Sequence, residues 1–398
     1  METASSFGPS CDAGSCVPNM DTSEWSEEAP ASCSEGHYPA TQGEVFNGRY
    51  QVVQNLGCGY FSTVWLCQDM GRKRCVAVKV PKGGEDFVEA ALDEVMLLRC
   101  VNSKRRKDQA GDHVIRMLDD FKMMGENGFH VCLVFELLGP SLQSLLSCPG
   151  VRGLPLPFVK KATHQVLTGL QFLHKECRII HADIKPENIL LYVTEESLKT
   201  LLHNMVSSGP REETKPQRSD DLAALLDCCN LMKMGVKIAD LGSACWTYKS
   251  FSKKIQTQPY RALEVLLGLD YGTPADIWST ACLAFELATG EHLFKPQAGR
   301  YFSRDDDHVA RIIELLGRIP PQIALFWQQA SGFFSRKGAL LRLSRISSYD
   351  LYHLLTDKYR WPKHQAAPFA GFLLPMLEYV PARRAPAERC LQHPWLRT

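Results

Sequence analysis

The sequence predicts an α+β fold of two unequal lobes, and two patterns carry that prediction. Short β-branched and aromatic runs joined by Gly-containing turns fill residues 49 to 138, and apolar residues at three- and four-residue steps dominate the chain beyond Gly139. A third observation, composition, agrees: 398 residues with 45% hydrophobic and 22% charged side chains give ample material for a core. No run is apolar enough for a membrane span, and no basic stretch followed by an apolar one opens the chain. A cytosolic or nuclear protein is therefore expected, without membrane attachment.

The elements follow in order. Glu2, Asp12, Asp21, Glu24, Glu27, Glu28, Glu35 and Glu44 stand in the first 48 residues with no Lys or Arg, although the whole chain has a formal charge of +1. This Ser-, Pro- and Gly-rich stretch has too little apolar material to offset its conformational entropy, so residues 1–45 are expected as an acidic disordered tail. Residues 50–53, 64–67 and 75–80 read as three strands at hairpin spacing. Phe87, Ala91, Val95 and Leu98 give residues 85–100 a helical period, and residues 114–121 and 130–137 read as two more strands.

Helices are predicted over 158–175, 275–289 and 308–316, with Asp305, Asp306 and Asp307 offering an N-cap and favourable charge at the start of the last. Between the apolar strands 189–193 and 236–239 lies a segment of loop composition, residues 194–234, too long for a compact hairpin and read as a disordered insertion. The domain boundaries are thus a tail, 1–45, and one folded domain, 46–398, with an N-lobe to 138 and a C-lobe from 139. The 15 cysteines include no C-x-x-C pair, and Cys67, Cys75, Cys132 and Cys282 sit in apolar runs, so buried reduced thiols are expected. The adjacent Cys228 and Cys229 lack basic flanks that would make them reactive.

Five polar groups break the apolar runs. The loop Leu56-Gly57-Cys58-Gly59-Tyr60-Phe61-Ser62-Thr63-Val64 lies between two strands, where Gly57 and Gly59 let backbone amides approach phosphate oxygens; alone it reads equally as a tight hairpin. Lys79 ends Val76-Ala77-Val78-Lys79, an ammonium in an apolar strand that needs a counter-charge, and Glu94 on the next helix is the natural partner. His181-Ala182-Asp183-Ile184-Lys185-Pro186-Glu187-Asn188 and Ile238-Ala239-Asp240-Leu241-Gly242 follow at element ends. Singly, Lys79 is a salt-bridged core lysine, Asp183 and Asn188 are helix caps, and Asp240 is a turn former. Together the five fit phosphoryl transfer.

In this order the motifs resemble the eukaryotic protein kinases over about 350 residues, from Arg49 to the end. Phe61-Ser62-Thr63-Val64-Trp65-Leu66-Cys67, Asp183 to Leu190, Pro274-Ala275-Asp276-Ile277-Trp278-Ser279-Thr280-Ala281-Cys282 and His393-Pro394-Trp395-Leu396 are similar to the SR-protein kinases, a family related to the CMGC group. That family phosphorylates serines in Arg-Ser-rich segments of splicing factors, and its catalytic domain is split by a spacer where this chain has a shorter insertion.

The resemblance implies a two-lobed protein-kinase fold that uses ATP and Mg²⁺. It implies Asp183 as acceptor of the substrate proton, Lys185 at the γ-phosphate, Lys79 on the α- and β-phosphates beside Glu94, and Asn188 and Asp240 on Mg²⁺. The ATP pocket would comprise residues 56–64, Ala77, Phe135 as gatekeeper or plain core, and the backbone of Glu136 and Leu138. Glu264 would pair with Arg384, and Asp276 would accept backbone donors of the catalytic loop.

For substrate docking the resemblance implies Glu291, Arg304, Asp307, Glu314, Lys358 and Arg261, while from composition Asp305 to Asp307 read equally as helix capping. Three departures stand out. Ala182 replaces an arginine that would pair with a phosphorylated activation segment, so constitutive activity is expected. Gln258-Pro259 stands where the family has Arg-Gln, which predicts weaker processivity, and Tyr349 replaces a tryptophan. Arg-Ser-rich proteins are the expected partners of a monomer in cytoplasm and nucleus. Lys104-Arg105-Arg106-Lys107 reads as a solvated loop rather than a nucleic-acid site. Two other readings remain at this stage: a kinase for another basic substrate, or a weakly active scaffold that docks basic proteins.

Overall fold

The computed structural model describes residues 36–105, 110–192, 228–249, 252–319, 332–335, 340–342 and 348–397. The first lobe is a six-stranded antiparallel sheet in the order β1-β2-β3-β4-β6-β5, made of Val45–Phe46, Tyr50–Cys58, Ser62–Asp69, Arg74–Pro81, Gly128–Glu136 and Met117–Gly125 respectively. Helix α1, Glu85–Lys104, packs on one face of it. The period of two sorts the side chains. In β4, Val76, Val78 and Val80 enter a cluster with Phe46, Tyr50, Val52 and Phe121 on the outer face, which turns Ala77 and Lys79 toward α1 and the second lobe. Strand β6 splits likewise: Cys132 and Val134 join the outer cluster, and Leu133 and Phe135 join the large core shared with the helices.

The second lobe is mainly helical: α2 (Leu142–Leu146), α3 (Leu156–Phe172), α4 (Cys228–Lys233), α5 (Leu263–Leu266), α6 (Pro274–Thr289), α7 (Arg304–Leu316), α8 (Leu351–His353), α9 (Lys363–Leu373) and α10 (Ala387–Leu391). Helix α6 is buried along its whole length, with Trp278 at 0% exposure, and is the post on which the catalytic loop and the activation segment hang. Two short antiparallel pairs complete the lobe. Ile179–Ile180 (β7) pairs with Cys245–Trp246 (β10), and Ile189–Tyr192 (β8) pairs with Gly235–Ile238 (β9).

The structure moves several sequence-derived boundaries. The expected tail, 1–45, ends too late: residues 36–45 lie on the sheet, with the Tyr38 ring edge-on to Phe46 and His130, its hydroxyl donating to Glu44, and Gly83 N–H donating to the Gly36 carbonyl at 2.9 Å. An aromatic ring with two aromatic partners supplies what the polar composition lacked; residues 1–35 lie outside the described residues. The insertion ends earlier than 234, because Leu231 is fully buried and Lys161 donates to the Met232 carbonyl, so α4 belongs to the folded lobe. Residues 193–227 are outside the described residues.

The strand expected at 114 starts at Met117, since Val114 and Ile115 instead bridge to Ile238 of β9. Helix α1 runs past Cys100 to Lys104, and Arg105 is no surface-loop cation: its guanidinium donates to the Val114 and Ile115 carbonyls at 2.7 Å and to that of Gly111. Helix α7 is capped by Ser303, not by an aspartate; Asp306 closes a capping box with it and pairs with Arg342. Cys67, Cys75, Cys132 and Cys282 form no disulfide. Cys67, Cys132 and Cys282 are buried as expected, with burial pushing the first two thiols up to about 12, while Cys75 is half-buried.

Candidate active site

The site forms where the cleft face of β4, the catalytic loop after β7 and the turn after β9 converge. Lys79 donates to both carboxylate oxygens of Glu94 at 2.9 Å and to Asp240 Oδ1 at 2.9 Å. Burial pulls the Lys79 ammonium down, but Asp240 and Glu94 together overcome it and hold it charged. The same lysine draws the Asp240 carboxyl to about 2, so both stay ionised near neutrality. Asp240 has φ 57, and a Cβ added at Gly242 would come within 3.2 Å of Asp240 Oδ1 and 3.5 Å of Lys79 Nζ. The glycine therefore lets the turn close over the ion triad.

Asp183 is clamped on both oxygens. Oδ1 accepts from the Thr257 hydroxyl at 2.7 Å and the Thr257 N–H at 3.2 Å; Oδ2 meets Lys185 Nζ at 2.8 Å and Asn188 Nδ2 at 3.0 Å. Lys185 also donates to the Thr257 hydroxyl at 2.9 Å, so one threonine ties the activation segment to two residues of the catalytic loop. The loop is suspended from α6: Asp276 accepts the His181 and Ala182 N–H groups at 2.8 Å each and pairs with His174. His181 donates through Nε2 to the Ala239 carbonyl and accepts the Asp183 N–H on Nδ1. Ala182 takes φ +65 there, held by that bond to Asp276.

The glycine loop is the β2–β3 turn, closed by Gly59 N–H on the Ser62 carbonyl at 2.9 Å, with Tyr60 and Phe61 exposed at its tip. An added Cβ at Gly57 would meet nothing within 4 Å. Leu56, Cys58, Ser62, Thr63 and Val64 continue the two strands on either side. Phe135 is 6% exposed, pairs with Ala77 across β4 and β6, and belongs to the core as well as facing the cleft level of Lys79. Glu136 ends β6, and Leu138 follows it, half-buried against the core.

Asn188 and Asp240 offer hard oxygen donors that suit a magnesium ion. Both amide hydrogens of Asn188 face Asp183, which leaves its amide oxygen as the free donor. These residues fit the metal.

Of the residues implied for docking, Glu291 joins Lys358 and Lys295 at 2.9 Å each, and those two ammonium groups draw its carboxyl to about 2. Asp307 accepts from Arg311 at 2.7 Å and from the Gln297 N–H. Arg304 is exposed and donates to the Pro296 carbonyl, and Glu314 is half-buried on α7. Arg261 is 8% exposed, and its guanidinium donates to the Ile255 and Gln256 carbonyls and to Gln258, with Nη1 3.8 Å from Asp305 Oδ1. It thereby ties the activation segment to the first turn of α7.

Three contributors were not read from the sequence. Thr257 gave no signal, since its role depends on a contact across the fold. Gln256, with φ 69 and 7% exposure, latches the segment to the Ala275 carbonyl, Ser279 and the Ala262 N–H. Lys237 did carry a signal, a cation in the apolar strand of β9, of the same kind that flagged Lys79. The scaffold bridge is present: Arg384 meets Glu264 at 2.7 and 2.8 Å with both side chains at 1% exposure or less.

This geometry of lysine, two aspartates and a glycine hairpin between a sheet lobe and a helical lobe defines a protein kinase, and residues 50–396 match the protein kinase domain family. Within that class the chain belongs to the SR-protein kinase family. It is 36% identical to mouse (Mus musculus) SRSF protein kinase 3, covering 94% of this chain and 91% of that one. It is 40% identical to the serine/threonine-protein kinase SRPK of Physarum polycephalum, covering 91% and 89%. Protein kinase dsk1 of Schizosaccharomyces pombe is 34% identical, over 97% and 87%. The protein is an ATP-dependent serine/threonine protein kinase.

Proposed function

We propose that this kinase phosphorylates serines in Arg-Ser-rich segments, those of SR splicing factors included, with ATP and Mg²⁺, and so acts in regulating pre-mRNA splicing. The observation that carries the substrate reading is the carboxylate edge beside the active site. Asp305, on the first turn of α7, reaches Gln258 at 2.7 Å, next to the Thr257 that holds Asp183, and Asp307 and Glu314 continue along the same helix. Guanidinium groups flanking a substrate serine match such carboxylates through charge-assisted bonds.

In the reaction the serine oxygen attacks the γ-phosphorus, the bond from that phosphorus to the β–γ bridging oxygen breaks, ADP leaves, and the serine proton passes to Asp183. Thr257 and Asn188 hold the Asp183 carboxylate in place for that proton. Lys185 neutralises the transferred group, and Lys79, oriented by Glu94, holds the α- and β-phosphates. Residues 56–64 cover the nucleotide, with Ala77 and Phe135 lining its pocket and the backbone of Glu136 and Leu138 meeting the adenine edge. Asn188 and Asp240 would hold Mg²⁺, which would supply charge neutralisation at the phosphates.

The same geometry supports activity without activation-segment phosphorylation. Thr257, Gln256 and Arg261 secure the segment with hydrogen bonds to the protein itself, and Ala182 leaves no arginine to read a phosphate. Gln258, which donates to Asp305 and accepts from Arg261 and is followed by Pro259, favours weaker processivity on long repeats. A monomer distributed between cytoplasm and nucleus suits such substrates.

The test is transfer of labelled γ-phosphate to an Arg-Ser repeat peptide beside Lys-Ser and Ser-Pro controls and an Asp240→Ala enzyme. Asp240-dependent labelling of the Arg-Ser peptide alone supports the assignment; equal labelling of the controls moves the substrate to another basic protein. The intact Lys79, Glu94 and Asp240 triad speaks against a weakly active scaffold.

A further inference from the structure

Lys237 is an 8% exposed lysine in β9, and its only carboxylate partner among the described residues is Glu136, 101 positions earlier in the chain. Nζ meets both Glu136 oxygens at 2.8 Å, and the Tyr192 ring covers the ammonium at 4.5 Å. The carboxylate is held from a second side, because Oε1 accepts the Arg116 N–H at 2.9 Å while the Arg116 carbonyl accepts the Glu136 N–H at 3.1 Å. Glu136 is thus fixed in both side chain and backbone.

The two ends of this ion pair lead to the two ends of the nucleotide. Glu136 closes β6, opposite Val76 of the strand that carries Lys79, and its main chain begins the link between lobes. On the other side, Lys237 is paired with Leu190, Ile238 with Ile189, and Ala239 donates to the Asn188 carbonyl at 2.8 Å immediately before Asp240. Moving the Glu136 peptide relative to Asn188 and Asp240 requires breaking a largely desolvated charge pair, which is costly.

We propose that the Glu136 and Lys237 pair is a positioning element for ATP, holding the backbone that receives adenine in register with the residues that meet the phosphates. The proposal rests on the reading above that the Glu136 and Leu138 backbone takes the adenine edge. Neither side chain touches the reacting atoms. Their effect falls on nucleotide affinity, and not on the chemical step once ATP is saturating.

The experiment measures ATP binding by calorimetry, and kcat and KM with the Arg-Ser peptide, on the full chain. Lys237→Met is expected to raise Kd and KM for ATP about tenfold, with kcat within about twofold and peptide KM unchanged. Lys237→Arg keeps the pair and restores most of the affinity. Glu136→Gln has an effect of similar size, and the double variant is no worse than the stronger single one, as expected for one shared interaction. Should Lys237→Met fold poorly, the comparison of Glu136→Gln with Lys237→Arg carries the test.

Unchanged ATP affinity in folded variants, additive single effects, or a loss confined to melting temperature and kcat would each overturn the proposal. So would a rise in kcat, which would make the pair a restraint on lobe closure. Because nucleotide binding is read directly, absence of Arg-Ser phosphorylation by the wild type sinks only the substrate assignment. A wild type that takes GTP as readily as ATP sinks the adenine placement itself.

Discussion

The catalytic centre and the docking edge are both built from carboxylates facing cations, yet they use charge in opposite ways. At the centre, Lys79 is 16% and Glu94 4% exposed, while Asp240, the second partner of Lys79 and 161 positions away, is 49% exposed at the cleft. At the edge, Lys358 is 52% and Glu291 38% exposed, and two other bridges there, Arg311 to Asp307 and Lys295 to Glu291, join residues four positions apart. A desolvated pair such as Lys79 with Glu94 is expensive to leave half-broken and so defines one geometry; hydrated pairs rearrange cheaply and can trade partners with an incoming guanidinium. The contrast gives a rigid site for one nucleotide beside an adaptable surface for a repetitive, basic chain.

Perturbations sharpen that contrast. Asp183→Asn keeps the bonds to Thr257 but removes the proton acceptor, and turnover in a single-turnover assay should fall by about 10²- to 10⁴-fold with ATP binding intact. A drop below threefold would deny Asp183 its role. Glu264→Ala strands Arg384 in the core and should cost about 3–5 kcal/mol in urea unfolding, the largest stability effect expected of any single charge here.

His308 lies between the two regimes. Burial, with Arg261, Arg304 and Arg311 nearby, drives its imidazole from 6.5 to about 3. Between those values the unfolded chain binds a proton that the folded chain refuses, so stability should decline as pH falls from 6.5 toward 3, by about 1.4 kcal/mol per pH unit once well below 6.5. His308→Leu should flatten that slope in thermal melts taken across the window, and an unchanged slope would assign the acid sensitivity elsewhere.

At the edge, Asp307→Asn should raise KM for an Arg-Ser peptide severalfold at low salt, with kcat and ATP affinity unmoved, and the difference should shrink as ionic strength rises. The smallest effect is expected for Lys358→Ala: about 0.5 kcal/mol or less of stability, itself lost in high salt. If it rivals Glu264→Ala in urea, the comparison between centre and edge fails.

Much of this was legible before any coordinates. Lys79 is legible because an ammonium in an apolar strand needs a counter-charge, and Glu94 because it stands on the following helix as the natural partner. Lys237 obeys the same logic and passed unread, since its partner lies at the end of a distant strand rather than on the next element. For Arg261 the sequence carries the charge but not its direction; in the fold its guanidinium turns inward onto the Ile255 carbonyl. Tyr38 shows the converse, an isolated aromatic in polar surroundings whose partners, Phe46 and His130, were invisible until the sheet formed.

Local pattern therefore specifies most of the strands and the four longest helices, because periodicity acts within a few residues of the chain, while the roles of Asp183, Asn188 and Asp240 rest on the resemblance of their motifs to the protein kinases. The positions of those groups relative to one another were decided only by the fold. The clamp of Thr257 on Asp183, the latch of Gln256 on α6 and the span from Glu136 to Lys237 are contacts across 74, 19 to 23 and 101 positions. Only packing of the lobes brings such groups within hydrogen-bond reach, since distances of that kind depend on the whole core and not on any neighbouring residue.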